Sequence, residues 1–151
     1  MKKFAPLFFV FILSACLPQP ATELPPTASS PYVIRGEDNP FSPQPADSSN
    51  QRDEIILTSA NLAERSDLTP IRNELLVSGS MPGTCNELRI KINPPDDEYQ
   101  ILIEVYSIAD RKLKCESVFQ QFEAVVLLGI YSPGRYTIWV NDHYVGDFIS
   151  L

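Results

Sequence analysis

The side chains with the greatest chemical reach in this chain are one histidine, three cysteines, one tryptophan and a short acidic run. His143 is the one histidine, and so the one ready candidate for a general base. It follows Asp142 at an expected turn between strands, where sequence neighbours point apart, and no nucleophile is placed beside the pair. His143 therefore reads as an exposed turn residue. Asp96, Asp97 and Glu98 could gather a divalent cation, but the run lacks the alternating ligands and the glycine of a calcium loop. It reads as a solvated turn. Cys16, Cys85 and Cys115 contain no Cys-x-x-Cys spacing and adjoin no helix that would lower a thiol pKa. Two of them with His143 fall short of a closed four-ligand metal site. The expectation is a chain with no catalytic residues, no cofactor and no metal.

Those residues must be carried by strands. From residue 54 onward apolar side chains alternate with period two, the pattern of half-buried strands. Leu75 and Val77 form one row, Leu88, Ile90 and Ile92 a second, and Tyr99, Ile101, Ile103 and Val105 a third. Phe122, Ala124, Val126 and Leu128 follow, then Tyr136, Ile138 and Val140, with further short strands expected at 55–58 and 144–149. Pro82-Gly83, Pro94-Pro95-Asp96-Asp97, Ala109-Asp110 and Pro133-Gly134 break the runs. Asn141-Asp142 suits a tight hairpin, since both residues tolerate positive φ. Residues 60–67 alone have helix-like composition, in a stretch too short to matter. Seven to eight short strands within 54–151 describe an all-β, antiparallel sandwich of immunoglobulin-like size, with a small barrel as the alternative.

On that frame Trp139 points away from Tyr136, Ile138 and Val140. It faces solvent, where an exposed tryptophan suits a partner contact, or a covering loop or tether, or it belongs to the second face of a two-layer core. It is the strongest contact candidate in the chain. Arg89, Lys91, Arg111, Lys112 and Lys114 read as solvated surface charge.

The N-terminus has a different character. Lys2 and Lys3 precede an apolar run of about ten residues, well short of the ~20 that span a bilayer, so residues 1–15 read as a signal peptide. The run ends in Leu13-Ser14-Ala15-Cys16, which resembles the lipobox of bacterial lipoproteins. The resemblance implies cleavage before Cys16, lipid on its thiol, and export with anchorage on a membrane, the domain facing outside the cytoplasm. Residues 16–53, with eight of the 14 prolines, then read as a disordered tether. As flexible coil it would span roughly 35 Å. Within it, residues 31–35 form a short apolar patch. With Cys16 lipidated, Cys85 and Cys115 remain as an even pair, and outside the reducing cytosol such a pair is expected to form a disulfide.

A second resemblance rests on Gly79-Ser80-Met81-Pro82-x-x-Cys85, Cys115, Phe122-Glu123 and the closing Gly134-x-Tyr136-x-Ile138-x-Val140-Asn141. From about residue 70 to the end, the chain resembles an immunoglobulin-like domain of bacterial envelope lipoproteins, a domain without an established activity. Members often carry glycine where this chain has Asp142. Net charge is −7, and −9 once Lys2 and Lys3 leave with the leader. Such a chain repels phosphate backbones, which argues against nucleic acid, and without a polybasic stretch it is not expected to lie flat on anionic lipid. The expected role is a non-catalytic binding or structural module, with an envelope protein or cell-wall polymer as partner. The alternative is an exported inhibitor of a protease or lysozyme.

Overall fold

The computed structural model of the chain describes residues 39–151. The leader, Cys16 and the apolar patch at 31–35 lie outside the described residues. A 3-10 turn at Pro45–Ser49 is followed by eight strands: β1 (Gln51–Asp53), β2 (Ile56–Arg65), β3 (Arg72–Met81), β4 (Glu87–Ile92), β5 (Gln100–Ala109), β6 (Gln120–Leu127), β7 (Gly134–Val140) and β8 (His143–Ser150). They form two layers. One is the three-stranded sheet β2-β3-β6; the other holds β4, β5, β7 and β8, with β1 also paired to β5. The rows read from alternation meet between the layers. Leu75, Val77, Phe122, Ala124 and Val126 on one side face Leu88, Ile90, Ile101, Ile103, Val105, Tyr136, Ile138 and Val140 on the other, all buried. The fold is a β-sandwich and not a barrel, since the strands form two separate sheets.

Three departures from the expected pattern have local causes. Residues 60–65 belong to β2, not to a helix-like stretch. The β2–β3 register shifts between Leu57 and Ser59, so one extra residue reverses the phase of the strand. Inward positions run Ile55, Leu57, then Ala60, Leu62; the three-residue step across the bulge mimics helical spacing.

The second departure is Tyr99, which leaves its row. Asp96 accepts the backbone N–H of Glu98 and of Gln100, both at 2.9 Å, in a tight turn that puts Tyr99 at φ 61°. Its ring then lies over Gly134, where a Cβ would come within 3.0 Å of it.

The third is the pairing of β5 with β7, which is parallel. Between them the chain crosses to the opposite sheet as β6 and returns, so β7 re-enters in the direction of β5. β1 and β7 share one edge of β5, over residues 107–109 and 100–103. Asn141 closes the gap between them. Its Oδ1 accepts the Val105 N–H and its Nδ2 donates to the Val105 carbonyl, each at 2.8 Å, so a side chain stands in for a missing strand residue. Asn141 and Asp142, at φ 45° and 66°, make the two-residue turn joining Val140 to His143.

The tether expected over residues 16–53 must be corrected for 39–53, which pack on the sandwich. Ile90 N–H donates to the Phe41 carbonyl at 2.8 Å and Asn39 Nδ2 to the Ile90 carbonyl at 2.8 Å, covering part of the β4 edge. The chain then passes over the outer face of the larger sheet and enters it as β1. Pro45 fits because it opens the 3-10 turn, where an N–H has no partner to lose. Arg89 fixes this strap by binding both oxygens of Asp47, at 2.7 and 3.0 Å, with both side chains largely covered. The guanidinium holds the Asp47 carboxyl below its usual range. Arg89 is thus a structural clamp and not solvated surface.

Candidate functional site

The strap covers only part of the outer face of the larger sheet. Beside it lies a shallow groove of about 650 Å³ whose lining includes Arg52, Leu102, Glu104, Tyr106, Trp139 and Asp142. Alternation supplies the outward row Leu102, Glu104, Tyr106 on β5, and the parallel register sets Trp139 of β7 beside Leu102. On the far side Trp139 pairs across the strands with Tyr144 of β8, their rings edge-on at 5.6 Å. Leu102 and Tyr144 are well exposed, and Trp139 is half-buried. The indole N–H is buried and makes no hydrogen bond among the described residues. Trp139 is therefore on the outer face, as alternation requires. It is partly covered by its neighbours and leaves an apolar and aromatic strip open to solvent.

Charge borders this strip. Glu104 accepts from Lys91 Nζ at 2.6 Å and from Arg52 at 3.0 Å, while the Arg52 guanidinium lies 3.8 Å above the centre of the Tyr106 ring. The Lys91 ammonium, opposed by partial burial and helped by Arg52, holds the Glu104 carboxyl down at about 2. A depressed folded-state pKa means that this carboxylate's contribution is fully present above about pH 4.5 and is lost as pH falls toward 2. Because Glu104 is a third exposed, the contribution is roughly 1–2 kcal/mol. Glu104→Gln should flatten the acid limb of stability between pH 4.5 and 2 in denaturant titrations; an unchanged limb would place the acid sensitivity elsewhere.

The other sequence candidates lie apart from the groove's aromatic strip. His143 is exposed at the start of β8, opposite Val140. Asp96 is occupied in its turn. Among the described residues no group of three or more His, Cys, Asp or Glu could hold a metal. Cys85 and Cys115 form a disulfide with their Cα atoms 5.5 Å apart, at one end of the sandwich. Sequence reasoning found Trp139 but missed Tyr106, Glu104 and Arg52. Leu102 and Tyr106 in an outward row were the available signal, since apolar residues on a solvent face ask for a cover. Arg52 gave none, because it lies in the segment read as tether.

No curated protein and no solved structure matches the chain significantly. Residues 75–150, half of the chain, match the ORF11 beta-sandwich domain, and they span most of β3 and all of β4 to β8, including Trp139, both cysteines and the Asn141 bridge. The match and the two-layer architecture agree, and the chain belongs to the ORF11 beta-sandwich domain family.

Proposed function

We propose that this protein is an exported lipoprotein, anchored to a bacterial membrane by lipid on Cys16, whose sandwich is a non-catalytic binding module. The observation that carries the binding role is the strip Leu102–Trp139–Tyr144, open at Leu102 and Tyr144 and half-buried at Trp139, beside the Arg52–Glu104–Lys91 charges. A rigid apolar centre rimmed by charge is the usual anatomy of a recognition surface. The anchor rests on the leader and on Leu13-Ser14-Ala15-Cys16. An envelope protein or cell-wall polymer is the expected partner, and the chain's net charge of −7 disfavours nucleic acid.

Two measurements test the proposal. Mass spectrometry of the membrane-extracted protein should find acyl chains on Cys16 and none in Cys16→Ser. For binding, the chain from Leu17 onward is immobilised and exposed to envelope extract, beside Trp139→Ala and Leu102→Ser variants of matched thermal midpoint. Material retained by the parent and lost with both variants supports the groove, while equal retention by all three removes it. A retained hydrolase that loses activity would favour an inhibitor.

A further inference from the structure

A second surface lies at the end of the sandwich where β5 passes into β6. Asp110 opens the connecting loop: its side chain accepts the Lys112 N–H at 2.9 Å and its carbonyl accepts the Leu113 N–H at 3.0 Å. The middle of the loop is tied to the β3–β4 connection. The Cys85–Cys115 disulfide makes one tie, and the Thr84 N–H donating to the Glu116 carbonyl at 3.1 Å makes another. The Glu116 N–H donating to Thr84 Oγ1 at 3.2 Å makes a third. Despite this fixation, Leu113, Val118 and Phe119 are 57%, 55% and 60% exposed. Ile56, also 56% exposed, stands at the same end, because Ser80 pairs with it on one side and with Gln121 on the other.

The cations sort in the same way. Among the described residues Arg52, Arg65, Arg89, Lys91 and Arg135 each form a salt bridge, and Arg72 donates to the Leu128 carbonyl. Arg111, Lys112 and Lys114 form none, and all three are exposed in this loop. The loop also holds Asp110 and Glu116, so its balance is only slightly positive, but among the described residues it is the one place where cations stand unmatched.

Interleaved cations and bare apolar side chains are poorly suited to a protein interface, whose centre is depleted in lysine. They suit the boundary between headgroups and acyl chains, where phosphate and hydrocarbon lie within one side chain's length of each other. We propose that this tip docks on an anionic lipid bilayer, with Leu113, Val118 and Phe119 entering the boundary and Arg111, Lys112 and Lys114 meeting lipid phosphates. The acidic remainder of the domain disfavours adsorption on its broad faces, so the contact is end-on. The lipid anchor gives this contact its setting, but the contact is testable without it.

The test uses the chain from Leu17 onward, which lacks both the apolar leader and Cys16, in flotation with vesicles of phosphatidylglycerol and phosphatidylcholine in equal parts, or of phosphatidylcholine alone. Binding is expected to the anionic vesicles only and to weaken with salt. Lys112→Glu/Lys114→Glu should weaken it by roughly 25-fold or more, at about five-fold per charge lost. Leu113→Ser/Phe119→Ser should weaken it as well, and Phe119→Trp in a Trp139→Phe background should shift its emission to the blue on binding. No retention on anionic vesicles overturns the proposal. So does retention that the charge variant abolishes but the serine variant leaves intact, which would mark recognition of a polyanion and not of a bilayer. An unacylated Cys16 with vesicle binding intact would defeat the anchor and leave the tip standing.

Discussion

Replacing Tyr136 by alanine should lower stability by about 3–5 kcal/mol and the thermal midpoint by roughly 12–20 °C. Tyr136 is fully buried at the start of β7. Its ring is 5.0 Å from Tyr131, 5.3 Å from Tyr99 and 5.4 Å from Phe148, stacked nearly parallel on the last. Its hydroxyl donates to the Ser132 carbonyl at 2.9 Å, four residues upstream, a bond of the kind made by the tyrosine corner of other sandwiches. One side chain thus joins the buried ring cluster and ties it to the β6–β7 crossing. Tyr136→Phe isolates the second role and should lose only about 1 kcal/mol. Thermal melts of both variants decide the matter; an alanine variant that melts with the phenylalanine one would show that the ring cluster contributes little.

The second large effect belongs to the disulfide. Cys85 and Cys115 are 30 residues apart, and closing a loop of that length restricts the unfolded chain by roughly 3.5 kcal/mol. Ordinary domains have only about 5–15 kcal/mol in total, so Cys85→Ala/Cys115→Ala should bring a large fall in the guanidinium midpoint. The same variant frees the tip loop from its main tie, so lipid binding should weaken even at temperatures where the sandwich stays folded. Oxidised protein whose two thiols both react with a thiol reagent under denaturing conditions would contradict the pairing.

The core was legible because its strands keep phase. Leu75 and Val77, Ile101 and Ile103, Tyr136 and Ile138 each sit on an uninterrupted alternation, and each faces inward as read. Where phase breaks, reading fails. The bulge near Thr58 hid the second half of β2, and the Asp96 turn removed Tyr99 from its row. Composition misled over residues 39–53 for another reason. Prolines there exclude helix and interior strand, yet a strap needs neither; it needs Phe41 on the core, Asp47 on Arg89, and three residues of pairing to β5. Those are long-range contacts, and no local pattern announces them. Of the groove, Trp139 could be found from alternation alone. Its setting between Leu102 and Tyr144 depends on the parallel register of β5 with β7, which periodicity does not encode.

That register has a consequence for the order in which the molecule assembles. The hairpins β2–β3, β4–β5 and β7–β8 can each close locally, on the order of microseconds. β5, however, is completed by two segments distant in the chain: β1, whose Asp53 meets Ser107 54 residues later, and β7, which follows the crossing through β6. Non-local closure of this kind belongs to the millisecond-to-second range. During that interval a central strand lies with an open edge, which is a template for pairing with other chains. Because synthesis runs from the N-terminus, β1 and the strap already exist when β5 emerges, while β7 does not. Half of the vulnerable edge can be occupied before the strand that finishes it has been made.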